Sequence, residues 1–351
     1  MTQLKSKGQY FTLFSCCIPV KGASRTAVCD LQRNGFLLVP NVVHVLLTEY
    51  RGKPIAEIFD AFDHEHDAQI LEYFDYLDEH EMGFYSDEPP TNFPELSLSF
   101  ENPNPLNNCI LERDAESDYE LTPIVHQLSG LFCNFAEIRN YHSLDLAAMH
   151  VLAGAFRDST VRGLYMVVQY HPEHTEASLR EFFETEKRVR NILVHGHPDD
   201  ERAIHIDVNT MLVFTKTKIE SDAACGTVAP HYFRCTTPAF TESIHHNNCL
   251  HKKITVDKRG QVRNCPSLPL TFGDVTEVSF ADIIARKEFT QWWNVTKDQV
   301  KVCQDCEFRY ICHDCRAHLK NPEDGKSKPA KCNYDPYSAT WETEPSEVGQ
   351  G

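Results

Sequence analysis

Residues 303–332, CQDCEFRYICHDCRAHLKNPEDGKSKPAKC, place five cysteines within thirty positions. A Cys-x2-Cys pair lets two thiolates from one tight turn reach a single iron or zinc. The stretch holds two such pairs, Cys303 with Cys306 and Cys312 with Cys315, and closes on Cys332. Working outward, Cys265 lies upstream, Gly260 stands five positions before it, and Cys249 sixteen before it. Seven cysteines in this order point to a metal-binding domain. Spacing alone leaves iron-sulfur clusters and structural zinc sites both open.

The rest of the chain narrows the setting. At 351 residues and 41% hydrophobic it is long enough for two or three domains and can bury a core. A formal charge of −17 leaves no Lys/Arg excess to neutralise phosphates, which argues against a general nucleic-acid binder and favours small basic partners. The start, MTQLKSKGQYFTLFSCCIPV, has no uninterrupted apolar run followed by a small-residue cleavage site, and no segment approaches the ~18 apolar residues of a membrane span. A cytoplasmic protein is expected. Its fourteen cysteines then read as thiols and metal ligands in preference to a disulfide framework.

Periodicity divides the chain into regions. Residues 1–95 read as short strands (QYFTLF, SRTAVCDL, GFLLVP) followed by three helices, with Asn41 a candidate cap for the first. The last helix carries Ile70, Leu71, Phe74 and Leu77 at helical spacing. Residues 87–107, rich in Pro and Asn, read as a linker. Over 105–225, strand-like segments alternate with helix-like ones, which implies parallel βα units, four or five of them before about residue 220. A full eight-unit barrel takes ~250 residues, so a partial barrel or small open sheet is expected. A cysteine-rich domain over 235–341 and a disordered polar tail over 342–351 complete an α/β chain.

The cysteine order resembles the SPASM domain, the C-terminal module of radical SAM peptide and protein maturases. That resemblance implies two auxiliary [4Fe-4S] clusters with interleaved ligands: Cys249, Cys265 and Cys315 for the first, and Cys303, Cys306, Cys312 and Cys332 for the second. Many members have three residues where this chain has two between Cys312 and Cys315. The upstream cysteine that completes the first cluster in some members would fall in TESIHHNN. Cys235 is the nearest thiol there, with His245 or His246 as imidazole substitutes and an open iron as the further alternative.

A Cys-x3-Cys-x2-Cys loop, which holds the cluster that cleaves S-adenosylmethionine, does not occur in the sequence. S-adenosylmethionine is therefore not expected as a cofactor. FTLFSCCIPVKGASRTAVCDLQRN, SFADIIARKEFTQWWNVTKDQVKVCQDCEFRYICHDCRA and KPAKCNYDPYSATW resemble the grasp-with-SPASM maturases. That family implies a ribosomal precursor peptide and an ATP-grasp ligase as partners, and no nucleic acid or membrane. The strand-then-helix module resembles the winged-helix leader-peptide recognition element, in which a peptide adds as a strand to a sheet edge. No catalytic residue is assigned: Cys16 and Cys17, the HPEH and HGHPDD segments, and HEHD read as incidental thiols and polar loops. Three functions follow from these readings: an accessory protein or maturase in ribosomal-peptide modification, an iron-sulfur redox enzyme acting on the peptide itself, and a zinc-stapled interaction protein.

Overall fold

The computed structural model describes residues 9–199 and 201–342. The tail expected over 342–351 lies, beyond Glu342, outside the described residues. The chain begins with β1 (Tyr10–Leu13), followed by a three-stranded antiparallel meander of β2 (Cys17–Lys21), β3 (Arg25–Asp30) and β4 (Gly35–Pro40). Three helices come next, α1 (Asn41–Thr48), α2 (Ile55–Ala61) and α3 (Asp67–Glu79), and β5 (Gly83–Ser86) returns to pair antiparallel with β1. The apolar stripe of α3 behaves as its spacing requires, with Ile70, Phe74 and Leu77 buried and Leu71 half-buried at the margin. Asn41 is not the cap of α1, a position taken by Pro40. Its side chain instead accepts from Thr26 Oγ1 at 2.8 Å and donates to the carbonyls of Gly22 and Ala23, holding the β2–β3 turn.

An eight-stranded mixed sheet follows. Its first four strands are β6 (Asn108–Arg113), β7 (Phe135–Ser143), β8 (Gly163–Gln169) and β9 (Val189–His195), parallel neighbours joined by α4 (Leu121–Gly130), α5 (Leu146–Gly154) and α6 (Glu176–Thr185). Three helical crossovers are present where four or five βα units were expected, because the chain then changes device. β10 (Arg202–Asp207), a mostly exposed charged strand that periodicity missed, folds back antiparallel on β11 (Thr210–Thr215), and β11 lies parallel to β9. The sheet stays open, in the order β10-β11-β9-β8-β7-β6-β12-β13.

Its last two strands come from the cysteine-rich half. After α7 (Thr237–His245), β12 (Lys253–Val256) adds in parallel to β6, and β13 (Val262–Arg263) closes a hairpin on it. The sequence boundary near residues 225–235 therefore falls inside one sheet. One face of that sheet packs under α4–α6 and the short helices α8 (Phe280–Ile284) and α9 (Lys287–Thr290) around Leu111, Ile138, Met166, Ile192 and Phe280. Beyond α9 the chain is held by single 3-10 turns and the two-residue strands β14 (Tyr334–Asp335) and β15 (Thr340–Trp341). A separate core, with Val20, Ala27, Cys29, Phe233, Phe308 and Tyr334, joins the back of the N-terminal meander to this last region. Among the described residues no helix is long and apolar enough to cross a membrane.

Candidate metal centre and peptide groove

Cys249 sits in a turn built by two asparagines. Asn247 Oδ1 accepts from the Cys249 and Leu250 amides, and Asn247 Nδ2 donates to Asp314 Oδ2 at 2.6 Å. Asn248 donates to the Cys312 carbonyl at 2.9 Å and accepts from the Asp314 amide at 3.0 Å. Both residues thus bind the Cys249 turn to the Cys312–Cys315 loop. Cys265 is presented by the β12–β13 hairpin, whose turn needs Gly260 at φ +78°, a conformation that a side chain would strain. Asp257 accepts from the Arg259 and Gln261 amides and pairs with Arg263 at 2.9 Å, fixing that turn. Cys303 starts a 3-10 turn that brings Cys306 beside it, with the Cys306 amide donating to the Cys303 carbonyl at 3.0 Å.

The thiols fall into two electrostatic groups. Cys249 and Cys225 both act on Cys265 and on Cys315. Cys312 and Cys332 both act on Cys303, and Cys312 acts on Cys306. Burial pushes Cys265 and Cys303 up to about 12 each, so these are neutral thiols until a metal displaces their protons. Cations accompany both groups, buried in the second and partly buried in the first. Lys297, only 4% exposed, donates to Cys312 Sγ at 2.7 Å and to the His313 carbonyl at 2.8 Å. Burial opposes its charge, but Cys312, Cys303 and Asp314 outweigh burial and hold it above the ordinary lysine value. In the first group Lys253 Nζ lies 3.5 Å from Cys249 Sγ, and Arg139 of β7, paired with Glu137 at 2.6 Å, reaches Cys225 Sγ at 3.4 Å. Such cations suit thiolates gathered around a metal.

Cys225 was not among the thiols singled out by spacing, yet it belongs to the first group. The hint was the glycine that follows it: Gly226, at φ +85°, leaves only 3.1 Å between a Cβ and Cys315 Sγ, so the chain can press against that thiol only without a side chain. Cys235, the fourth ligand expected from proximity in sequence, is placed elsewhere. It is 2% exposed in the core that joins the two halves, in the same cluster as Cys29 of β3. The histidine substitutes are also engaged away from the thiols. His245 contacts the Leu98 carbonyl at 2.9 Å, and His246 contacts Asn294 at 2.9 Å and stacks on His251.

The spacing of the thiols bears on what they hold. Two thiolates on one tetrahedral zinc stand about 3.8 Å apart, given Zn–S bonds of about 2.3 Å. Among the described residues, the set of three ligand atoms lying within 4.8 Å of one another is Cys16, Cys17 and Asp30, and no C-terminal trio approaches so closely. Asp30 in that set is already spent on the Gln32 and Arg33 amides and the Arg33 guanidinium.

A second feature lies at the far end of the chain. β4 is an outer strand, and no described residue pairs with its free edge. Between that edge and α3 runs a groove of about 690 Å³ whose lining includes Leu38, Pro40, Ala68, Leu71, Glu72 and Tyr76. The opposite edge is closed to pairing: β2 carries Pro19, which has no N–H, and the Lys21 carbonyl already accepts from Arg309 at 2.7 Å.

Residues 249–307 match the model of the SPASM family, an iron-sulfur cluster-binding domain. The AdoMet-dependent heme synthase of Nitratidesulfovibrio vulgaris is 26% identical over 130 residues, which cover 33% of this chain and 35% of that protein, so the chain spans about a third of that relative's length. Among solved structures, Streptococcus suis SuiB bound to precursor peptide SuiA aligns over 92% of this chain and 100% of that chain, at 11% identity and a TM-score of 0.31. SuiB alone aligns over 91% and 98%, again at 11% identity and 0.31.

Proposed function

We propose that this protein is a SPASM-domain maturase or accessory protein in ribosomal-peptide modification, which binds a precursor peptide and acts with an ATP-grasp ligase. The observation that carries the reading is the groove between α3 and the unpaired edge of β4, joined through a shared core to a segment of SPASM type. An extended peptide can add to β4 by main-chain hydrogen bonds and place alternate side chains in the groove. In this reading Cys225, Cys249, Cys265 and Cys315 hold one [4Fe-4S] cluster, and Cys303, Cys306, Cys312 and Cys332 hold the other. Clusters so held would cross-link segments with little regular structure of their own. Four thiols in each group leave no iron open to ligate a substrate thiolate, and the match of residues 249–307 to an iron-sulfur cluster-binding domain weighs against zinc.

Mass spectrometry of the precursor peptide, co-expressed with the ATP-grasp ligase with and without this chain, tests the proposal. Water-loss products that require the chain are the expected result. Equal modification without it, together with a mass change produced by this chain alone, would replace the accessory role with an enzymatic one.

A further inference from the structure

The N-terminal groove has a charge character that narrows its occupant. On α3, Glu72, Tyr76 and Glu79 line the groove at spacings of four and three residues, which puts them on one stripe of the helix. Glu72 and Glu79 are exposed and make no ion pair with a described residue, whereas other acids of this module, Glu81 and Glu95, are paired with Arg33 and Arg51. Asp75, the third carboxylate of the lining, accepts from Tyr85 at 2.7 Å. Tyr76, 38% exposed between the two free carboxylates and packed against the His80 ring at 4.2 Å, offers a ring face to a cation. Leu71, Ala68 and Leu38 give the same groove an apolar floor. The binding surface thus combines an unpaired strand edge, an apolar floor and an anionic wall.

Resting on the reading of this groove as the peptide site, we infer that the segment it binds is an extended peptide carrying Lys or Arg among apolar residues. A strand added to β4 turns every second side chain toward α3. Those positions present apolar groups to Leu71 and to the gap over Ala68, and cationic groups to Glu72 and Glu79. The overall charge of −17 draws such a peptide in at long range.

The test is selection of a displayed random peptide library on the cluster-loaded protein, followed by anisotropy titrations of the selected peptides. Three proteins are compared: wild type, Glu72→Gln/Glu79→Gln, and Ala68→Trp, which fills the groove from an exposed helix position. Wild type is expected to enrich Lys and Arg spaced among apolar residues. These peptides should bind the double variant at least tenfold more weakly, lose affinity as salt rises, and fail on Ala68→Trp. Selected peptides that are acidic or neutral, or that bind the double variant as well as wild type while still failing on Ala68→Trp, overturn the charge inference and leave the groove reading intact. Peptides that bind Ala68→Trp undiminished, or a selection that yields none, overturn both.

Discussion

The N-terminal module and the cysteine-rich end are of similar complexity but are held by different forces. In the first, Phe11 stacks on Phe74 at 4.6 Å, and Val43, Leu46, Ile55, Ile58 and Leu77 close an apolar core under three helices. From residue 297 onward the chain has 3-10 turns, two-residue strands and a few large apolar side chains such as Phe308, Ile311 and Tyr334. Apolar burial of the first kind is worth about 1.5–3 kcal/mol per large side chain and needs no cofactor. A segment with so little of it resembles small metal domains, which are ordered by ligation. One chain therefore holds a part with an apolar core of its own under three helices and a part with few large apolar side chains.

The largest effect that could break this contrast comes from removing a ligand. Cys306→Ser should lower iron and sulfide content by about half and make the region after residue 297 sensitive to protease, while near-ultraviolet signals of the N-terminal aromatics persist. Unchanged iron and unchanged protease resistance would remove Cys306 from the ligand set. The converse change is Phe74→Ala, which takes a ring from a core position 2% exposed. Truncations of this kind cost about 3–5 kcal/mol, measured by urea unfolding of the N-terminal module. Iron content should hold; if it fell in parallel, the two regions would be a single cooperative unit and the contrast would fail.

What the sequence disclosed follows the same division. Helix α3 could be read because its apolar residues recur at helical spacing, and β6 to β9 because each is a short apolar run between helical segments. The cysteine order was legible because ligand spacing is a local property of a turn. What could not be read was long-range. Cys225 reaches its group only because the segment after β11 returns across the sheet to Arg139, and Cys235 leaves it because it packs in the core around Cys29, about two hundred residues away. Strand β12 gave no sign that it would join β6, since hydrophobic alternation reports burial but not the neighbour. The histidines near Cys249 misled through composition; the adjacent asparagines, which carry the turn, have no distinctive spacing.

The junction between the two regions offers a finer test. Glu307, directly after Cys306 and fully buried, accepts from Arg25 Nε of β3 at 2.7 Å and from the Tyr334 hydroxyl, while the Ala23 amide donates to the Asp305 carbonyl at 2.7 Å. Glu307→Gln leaves Arg25 without its anion. Arg25 is partly solvated, so the loss should be about 2 kcal/mol, below that of a fully buried pair. If the regions are coupled through this contact, chelating the iron should lower the stability of the N-terminal module in wild type and do so less in Glu307→Gln. An equal drop in both proteins would assign the coupling to the apolar junction around Phe308 instead.

Acid sharpens the contrast with the smallest effect. His174, 2% exposed just before α6, is lowered from 6.5 to about 4, chiefly by burial and next by His171. Below pH 6.5 the unfolded chain takes up a proton that the folded chain refuses, so stability is full above that value and falls as the pH drops toward 4. At pH 5.5 the loss should be about 1 kcal/mol. This loss belongs to the βα sheet and requires no ligand, whereas acid release of iron acts on the thiolates. His174→Gln should therefore flatten the decline in unfolding free energy between pH 6.5 and 5 while leaving the pH profile of iron loss unchanged. A variant that keeps the wild-type slope would show that His174 is not the group refusing the proton, and a variant that shifts iron release would tie the sheet to the clusters more closely than the β12–β6 pairing alone requires.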